Sequence, residues 1–231
     1  EYDIPIDAAL FTLEPPADAT IVDCRIDPEL RDVIDEAMEA VKTLPLHEIG
    51  EAAPILVNEG RRFDRWREWE GWRQNRVGHR EEYSDGRVTG GTPREEWVYW
   101  VRRYAYVHDQ DHYRNSFFTI RAHQWLRHLK DGRPGGWPAD APSEVIRDEK
   151  DGRRSARIVG YFTLPPAERS KEVLTLDLDA KRLTERELYV WMDDEWRLAM
   201  RIQFDYPDEL PDRIFEFQPP PGVKIDDLRK R

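Results

Sequence analysis

The run from Leu174 to Phe204 leaves little choice of local structure. Leu174, Leu176 and Leu178 alternate with polar or smaller residues, DLDAKR supplies a turn, and ERELYVWM leads through Asp193-Asp194-Glu195 into WRLAMRIQF. In that last segment Trp196, Leu198, Met200, Ile202 and Phe204 fall at every second position, with Arg197, Arg201 and Gln203 between them. A period of two, interrupted by turn residues, belongs to an antiparallel sheet that buries one face and wets the other. The five apolar residues are expected on one side and the three polar ones on the other.

An earlier segment has a different period. Leu30, Val33, Ile34, Ala37, Met38 and Val41 recur at helical spacing and form one apolar stripe. Asp27 suits an N-cap, Pro28 suits the first helical position, and Pro45 blocks continuation. The spacing predicts a helix over about residues 28–43. A helix stripe followed by consecutive hairpins implies an α+β domain whose sheet wraps on the helix.

The middle of the chain is less regular. Phe63, Trp66, Trp69 and Trp72 are three apart, which favours a helix by count, while bulky aromatics bounded by turn signals favour strands. We read residues 61–84 as strands, with Glu70-Gly71 as one candidate turn and Asp85-Gly86 as another. WVYWVRRYAYV, residues 97–107, reads as a single strand, HDQD as the turn before YRNSFFTI, AHQWLRHLK as a short helix and GRPGGWPADAP as a loop.

The two ends share a phrase. FEFQPPPGVKIDD (215–227) aligns with FTLEPPADATIVD (11–23): Phe215 on Phe11, Phe217 on Leu13, Pro219 and Pro220 on Pro15 and Pro16, Ile225 on Ile21, Asp227 on Asp23. A separation of 204 residues is too long for a solenoid. It suggests two copies of one domain. On this reading residues 1–24 are the terminal strand of a preceding, related domain and residues 25–231 are the second copy. The chain starts at Glu1 without a leader pattern and reads as a processed or trimmed form whose targeting segment lay upstream.

Composition excludes several classes. Nine Trp, nine Tyr and eight Phe in 231 residues are too many for a disordered chain. No apolar run approaches the roughly 20 residues that span a bilayer as a helix. A net charge of −11 argues against general nucleic-acid binding, which depends on neutralising phosphates. Residues 61–103 hold eleven Arg against eight acids, but most alternate with acids, as on a solvated sheet face. Cys24 is the single cysteine, so neither an internal disulfide nor a Cys-based zinc site is available.

The leading helix, the hairpins and the closing PDELPDRIFEFQPPPGVKIDD together resemble the outer-membrane lipoprotein carrier family (LolA-like). The same fold serves the periplasmic subunits that regulate envelope-stress sigma factors (RseB-like). LTLDLDAKRLTERELYVW, residues 174–191, fits the penultimate strand and turn of such proteins, and Phe215–Asp227 fits the terminal phrase, closing the sheet as a strand. The layout covers about residues 25–231; the Arg- and Trp-rich middle departs from it. The resemblance implies a strongly curved antiparallel sheet, an open half-barrel, wrapped on the helix. It implies a periplasmic or otherwise extracytoplasmic location. It also implies a lipid, an acylated lipoprotein or another hydrophobic ligand in the concavity, lined by residues such as Trp66, Trp69, Trp100, Phe118 and Trp196. At each position, packing of the helix on the sheet is the plainer role.

Catalytic signals are weak. HDQDH places His108 and His112 near each other as candidate zinc or manganese ligands, but a polar hairpin tip accounts for the same residues. There is no HExxH, no G-x-S-x-G elbow, and no glycine-rich phosphate loop with its lysine. No cofactor is expected. The sequence therefore points to a non-enzymatic envelope protein binding a hydrophobic ligand or lipoprotein. The alternative is a regulatory ectodomain that meets a membrane-tethered regulator, and a metal-dependent hydrolase ranks last.

Overall fold

The computed structural model describes residues 26–53, 67–100, 104–109, 126–127, 143–164, 167–219 and 221–229. Helix α1 (Pro28–Thr43) begins where Asp27 caps it, its carboxylate accepting the Leu30 N–H at 2.9 Å. Leu30, Val33, Ile34, Ala37, Ala40 and Val41 are its buried face. Each of the four larger side chains contributes about 1.5–3 kcal/mol by leaving water. The helix ends at Leu44, ahead of Pro45.

Among the described residues twelve strands follow, in one sheet. They are β1 (Leu46–Ala52), β2 (Arg67–Gln74), β3 (Gly78–Tyr83), β4 (Val88–Gly91), β5 (Glu95–Trp100) and β6 (Tyr104–Asp109), then β7 (Ser143–Lys150), β8 (Arg153–Leu164), β9 (Ala167–Asp177), β10 (Arg182–Met192), β11 (Glu195–Asp205) and β12 (Lys224–Asp227). Their spatial order is β12-β6-β5-β4-β3-β2-β1-β11-β10-β9-β8-β7. The sheet is open, with β12 and β7 as its edges, and every pairing is antiparallel except β12 with β6. The first and last antiparallel runs meet where β1 pairs with β11.

Helix α1 packs on β9 and β10, and its stripe joins Ile158, Leu174, Leu176, Leu183, Leu188, Val190, Ile202 and Phe204 in one core. Leu126 is fully buried in the same cluster. Arg154 to Glu29 (2.9 Å) and Lys181 to Glu36 (3.0 Å) orient the helix from the β8–β9 end of the sheet. Both pairs are exposed and add little stability.

The α+β expectation holds, as do the helix and the hairpins at 177–182 and 192–195. The turn between β10 and β11 puts Asp193 and Asp194 at φ 51° and 61°, the left-handed pair of a type I′ hairpin turn. Gly86, at φ 83°, makes the turn expected at Asp85-Gly86.

Four expectations change. Glu70-Gly71 is not a turn: β2 runs straight through it, and the chain reverses at residues 75–77. Residues 97–107 are not one strand, because β5 and β6 pair in antiparallel register from Glu95↔Asp109 to Trp100↔Tyr104. An uninterrupted β-branched and aromatic run with no Gly, Asn or Pro conceals that reversal. The closing phrase is not a long strand. Residues 208–219 form a strap on the sheet face opposite α1, with Phe215 over Gly78 and Phe217 5.1 Å from the Trp97 ring. Only Lys224–Asp227 then joins the sheet, parallel to β6.

The fourth change lies in β11. Leu188 faces Met200 but Tyr189 faces Leu198, so Ala199 is an extra residue on β11. Such a bulge reverses the phase of a strand. Met200, Ile202 and Phe204 point into the core, whereas Trp196 and Leu198 share the opposite face with Trp191 and Tyr189.

Candidate functional site

Two regions of the sheet carry chemistry beyond ordinary packing. The first lies on the helix-bearing face, over β1 to β5. Across those strands the register aligns Leu46–Arg73–His79–Gly91–Glu96 in one row and Glu48–Gly71–Glu81–Thr89 in the next. Glu48, Arg73 and Glu81 are 2–5% exposed. The Arg73 guanidinium approaches Glu81 at 3.0 Å and Glu48 at 3.5 Å. Glu81 also accepts the Tyr83 hydroxyl at 2.6 Å and the Thr89 hydroxyl at 3.4 Å. Farther along the same face Glu172, 1% exposed, is paired with Arg186.

Two glycines lie inside this arrangement, and at one of them, Gly91, a side chain would not fit. Gly71 separates Glu48 from Glu81, and a Cβ there would make only ordinary contact with both side chains, at 3.7 Å. Gly91 lies between His79 and Glu96, where a Cβ would sit 3.0 Å from the imidazole and 2.9 Å from the Glu96 Cγ. Sequence reading missed Glu48, Arg73, His79, Glu81 and Glu96. The available signal was glycine inside strands, which marks close approach of neighbouring groups.

Burial sets the protonation of this row. It pushes Glu48 up, with Arg73 opposing, and raises Glu96 to about 7. Burial, then Arg73, lowers His79 to about 4. The raised Glu96 favours the fold fully below its ordinary value near 4.5, and that contribution is lost as pH rises towards 7. The depressed His79 favours the fold fully above 6.5, and that contribution is lost as pH falls towards 4. The two slopes oppose each other between pH 4.5 and 6.5. His79→Gln should therefore make stability fall more steeply with pH across this window than in the unmodified chain, and Glu96→Gln should shift the slope the other way. Urea midpoints at pH 5, 6 and 7 for the two variants and the unmodified chain check the signs, and identical slopes would refute the assignment.

The second region is the face opposite α1 over β8 to β11. Tyr161, Lys171, Tyr189 and Leu198 align in one row, with Trp191 paired to Trp196 beside it. The Trp191 and Trp196 rings meet edge-on at 5.2 Å, and Tyr161 is 6.2 Å from Trp196. Lys171 lies 4.5 Å from the Tyr189 ring and 5.0 Å from that of Trp196, and Arg169 lies 5.2 Å from Trp191. The rings are half-buried, with these cations over them, on a face that carries no helix among the described residues.

Of the five aromatics expected to line a cavity, Trp69 and Trp196 have described side chains, and they lie on opposite faces. Trp69 is a core residue, 7% exposed, its indole laid over Gly50. Trp100 ends β5, but its side chain lies outside the described residues, as do Trp66 and Phe118. His108 is in β6 rather than in a turn; its side chain, like all of His112, lies outside the described residues, as do residues 1–25. Among the described residues no group of three or more His, Cys, Asp or Glu could hold a metal ion. No helix there is long and apolar enough to cross a membrane.

No protein-family model matches the sequence, and no curated protein matches it. Solved structures similar to this chain include one described as of the LolA superfamily. A LolA superfamily protein from Nitrosomonas europaea is 12% identical, with 81% of this chain and 97% of that one covered and a TM-score of 0.27. A putative outer membrane lipoprotein-sorting protein domain from Vibrio parahaemolyticus is 10% identical, with 80% and 95% covered and a TM-score of 0.28. A third is MucB, in the Pseudomonas aeruginosa MucA/MucB complex. It is 15% identical, with 81% of this chain covered and a TM-score of 0.38, and the chain spans 60% of its length.

Proposed function

We propose that this chain is a non-catalytic, extracytoplasmic binding domain that recognises a protein partner, the regulatory alternative of the two envelope roles. Residues 1–24 would be the end of a related preceding copy. The observation that carries the reading is the occupancy of the helix-bearing face. An acyl chain in the sheet would need apolar room there. The positions under α1 are taken by the chain's own Leu, Ile and Val side chains, and those over β1 to β3 by Glu48, Arg73 and Glu81. At 2–5% exposure these paired side chains leave no open apolar surface for an alkyl chain to cover. The half-exposed aromatics opposite α1 and the strap give a partner protein surface to bind.

Native mass spectrometry of the full chain, before and after organic extraction, tests this together with titration of a dansylated fatty acid. The expected result is the bare chain mass and no saturable fatty-acid uptake. A stoichiometric acyl mass lost on extraction, or saturable uptake, overturns the reading in favour of a lipid or lipoprotein carrier.

A further inference from the structure

The strap also shapes a cavity. Residues 208–216 pass the turn between β2 and β3 and, with Pro45, Gln74, Val77 and Thr92, line a space of about 620 Å³. That size suits recognition of a small group or a few side chains. Its apolar lining includes Val77, Leu210, Pro211 and Ile214, and Val77 is 47% exposed, an aliphatic residue presented to solvent from a turn. Its rim is acidic: Asp208, Glu209, Asp212 and Glu216 stand against one cation, Arg213, which pairs with Glu216 at 2.5 Å. Asp208, Glu209 and Asp212 are exposed and make no ion pair among the described residues. Arg76 and Arg94 occupy the flanking turns, but neither lines the cavity.

The walls are held in place. Phe215 is buried against Gly78, Arg80 donates to the Ile214 carbonyl at 3.4 Å, and Phe217 rests on Trp97. Two successive turns, Ile214 N–H to Pro211 O and Glu216 N–H to Arg213 O, carry the chain around the cavity, with Arg213 at φ 60°. A preformed recess spares its ligand the cost of ordering it.

We infer that this cavity docks a basic segment of the partner protein, one in which a lysine or arginine neighbours an aliphatic side chain. The inference rests on the protein-partner reading above. The aliphatic group covers Val77 and Ile214, and the cation meets the unpaired carboxylates at the rim. A fatty acid or a nucleic acid would bring negative charge to a negative rim. Rim charges act mainly on association rate and salt dependence, so binding weakens as the screening length shrinks below about 10 Å above 0.1 M salt.

The test is fluorescence anisotropy of the full chain with a short fluorescein-labelled peptide alternating lysine or arginine with leucine or valine. A matched peptide with glutamate at the basic positions is the control. Saturable, salt-sensitive binding of the basic peptide alone is expected. It should weaken about fivefold in Asp208→Asn/Asp212→Asn, near 1 kcal/mol at 1.4 kcal/mol per tenfold. Val77→Lys, in an exposed turn where folding is undisturbed, should weaken it further. No binding by the unmodified chain overturns the inference, and so does binding that both variants leave intact. The latter would put the partner elsewhere on the molecule while the protein-partner reading stands. Saturable fatty-acid uptake would remove that reading instead.

Discussion

Arg73→Met should cost the fold about 3–5 kcal/mol, the penalty for breaking a buried ion pair from one side. The substitution keeps most of the side-chain volume and removes only the guanidinium. Glu48 and Glu81, both nearly inaccessible to water, would then face each other across Gly71 with no cation between them. Domains of ordinary stability hold 5–15 kcal/mol in all, so the loss would be visible as a large drop in urea midpoint. The cost should come from uncompensated charge and not from lost packing. Arg73→Met combined with Glu48→Gln and Glu81→Gln should therefore recover much of it, because neutral amides need no counter-ion. Chemical denaturation at pH 7 of the single and triple variants measures both effects. A single-variant loss below about 1 kcal/mol would mean that the cluster is hydrated, since exposed pairs are worth no more than that.

Trp69→Ala should cost a similar amount, about 3–5 kcal/mol, because it empties a large site in the core. The ring packs on the backbone of the neighbouring strand, where Gly50 leaves room: a Cβ at position 50 would lie 2.1 Å from the indole. Gly50→Ala should consequently destabilise by about 1–3 kcal/mol or more through overpacking. The two changes share one volume, so their costs will not add. With the ring gone, the extra methyl fits, and the double variant should be more stable than the sum of the singles by about 0.5–3 kcal/mol. Thermal and urea unfolding of the four proteins completes the cycle. Strict additivity would show that Trp69 does not rest on Gly50. A Trp69→Ala variant of undiminished stability would return this residue to consideration as a ligand-lining group.

Much of the fold was legible because some signals are local. Asp27, the apolar stripe and Pro45 mark α1 from cap to stop, and each acts within one or two turns of chain. The hairpins at Asp177–Arg182 and Met192–Glu195 were legible for the same reason. β1 shows where locality fails. In LHEIGEA hydrophobicity alone would bury Ile49 and expose Glu48, yet Ile49 is 53% exposed and Glu48 only 2%. The inverted phase follows from the neighbours: Leu46 and Gly50 must lie on the core face, Gly50 beneath Trp69, and Glu48 between them is carried inward with Arg73 within reach. The strap cavity depended on such pairings, so Pro45 and the closing phrase were legible only as a helix stop and a final strand, not as walls of one recess. Pro45, Val77, Thr92 and Asp212 meet only after the chain has closed on itself.

The sequence by itself determined the helix, the sheet-forming character of both arms, the principal turns and the α+β class, because periodicity, capping and turn preferences are set by residues a few positions apart. Tertiary structure alone decided which face each strand presents. The extra residue at Ala199 sends Trp196 away from the core, a guanidinium from β2 makes two buried carboxylates tolerable, and the FEFQPPP phrase becomes a strap because glycines at 78 and 90 leave space for the aromatic rings beside them. These outcomes depend on groups far apart in the chain, whose energies exist only once the strands are paired.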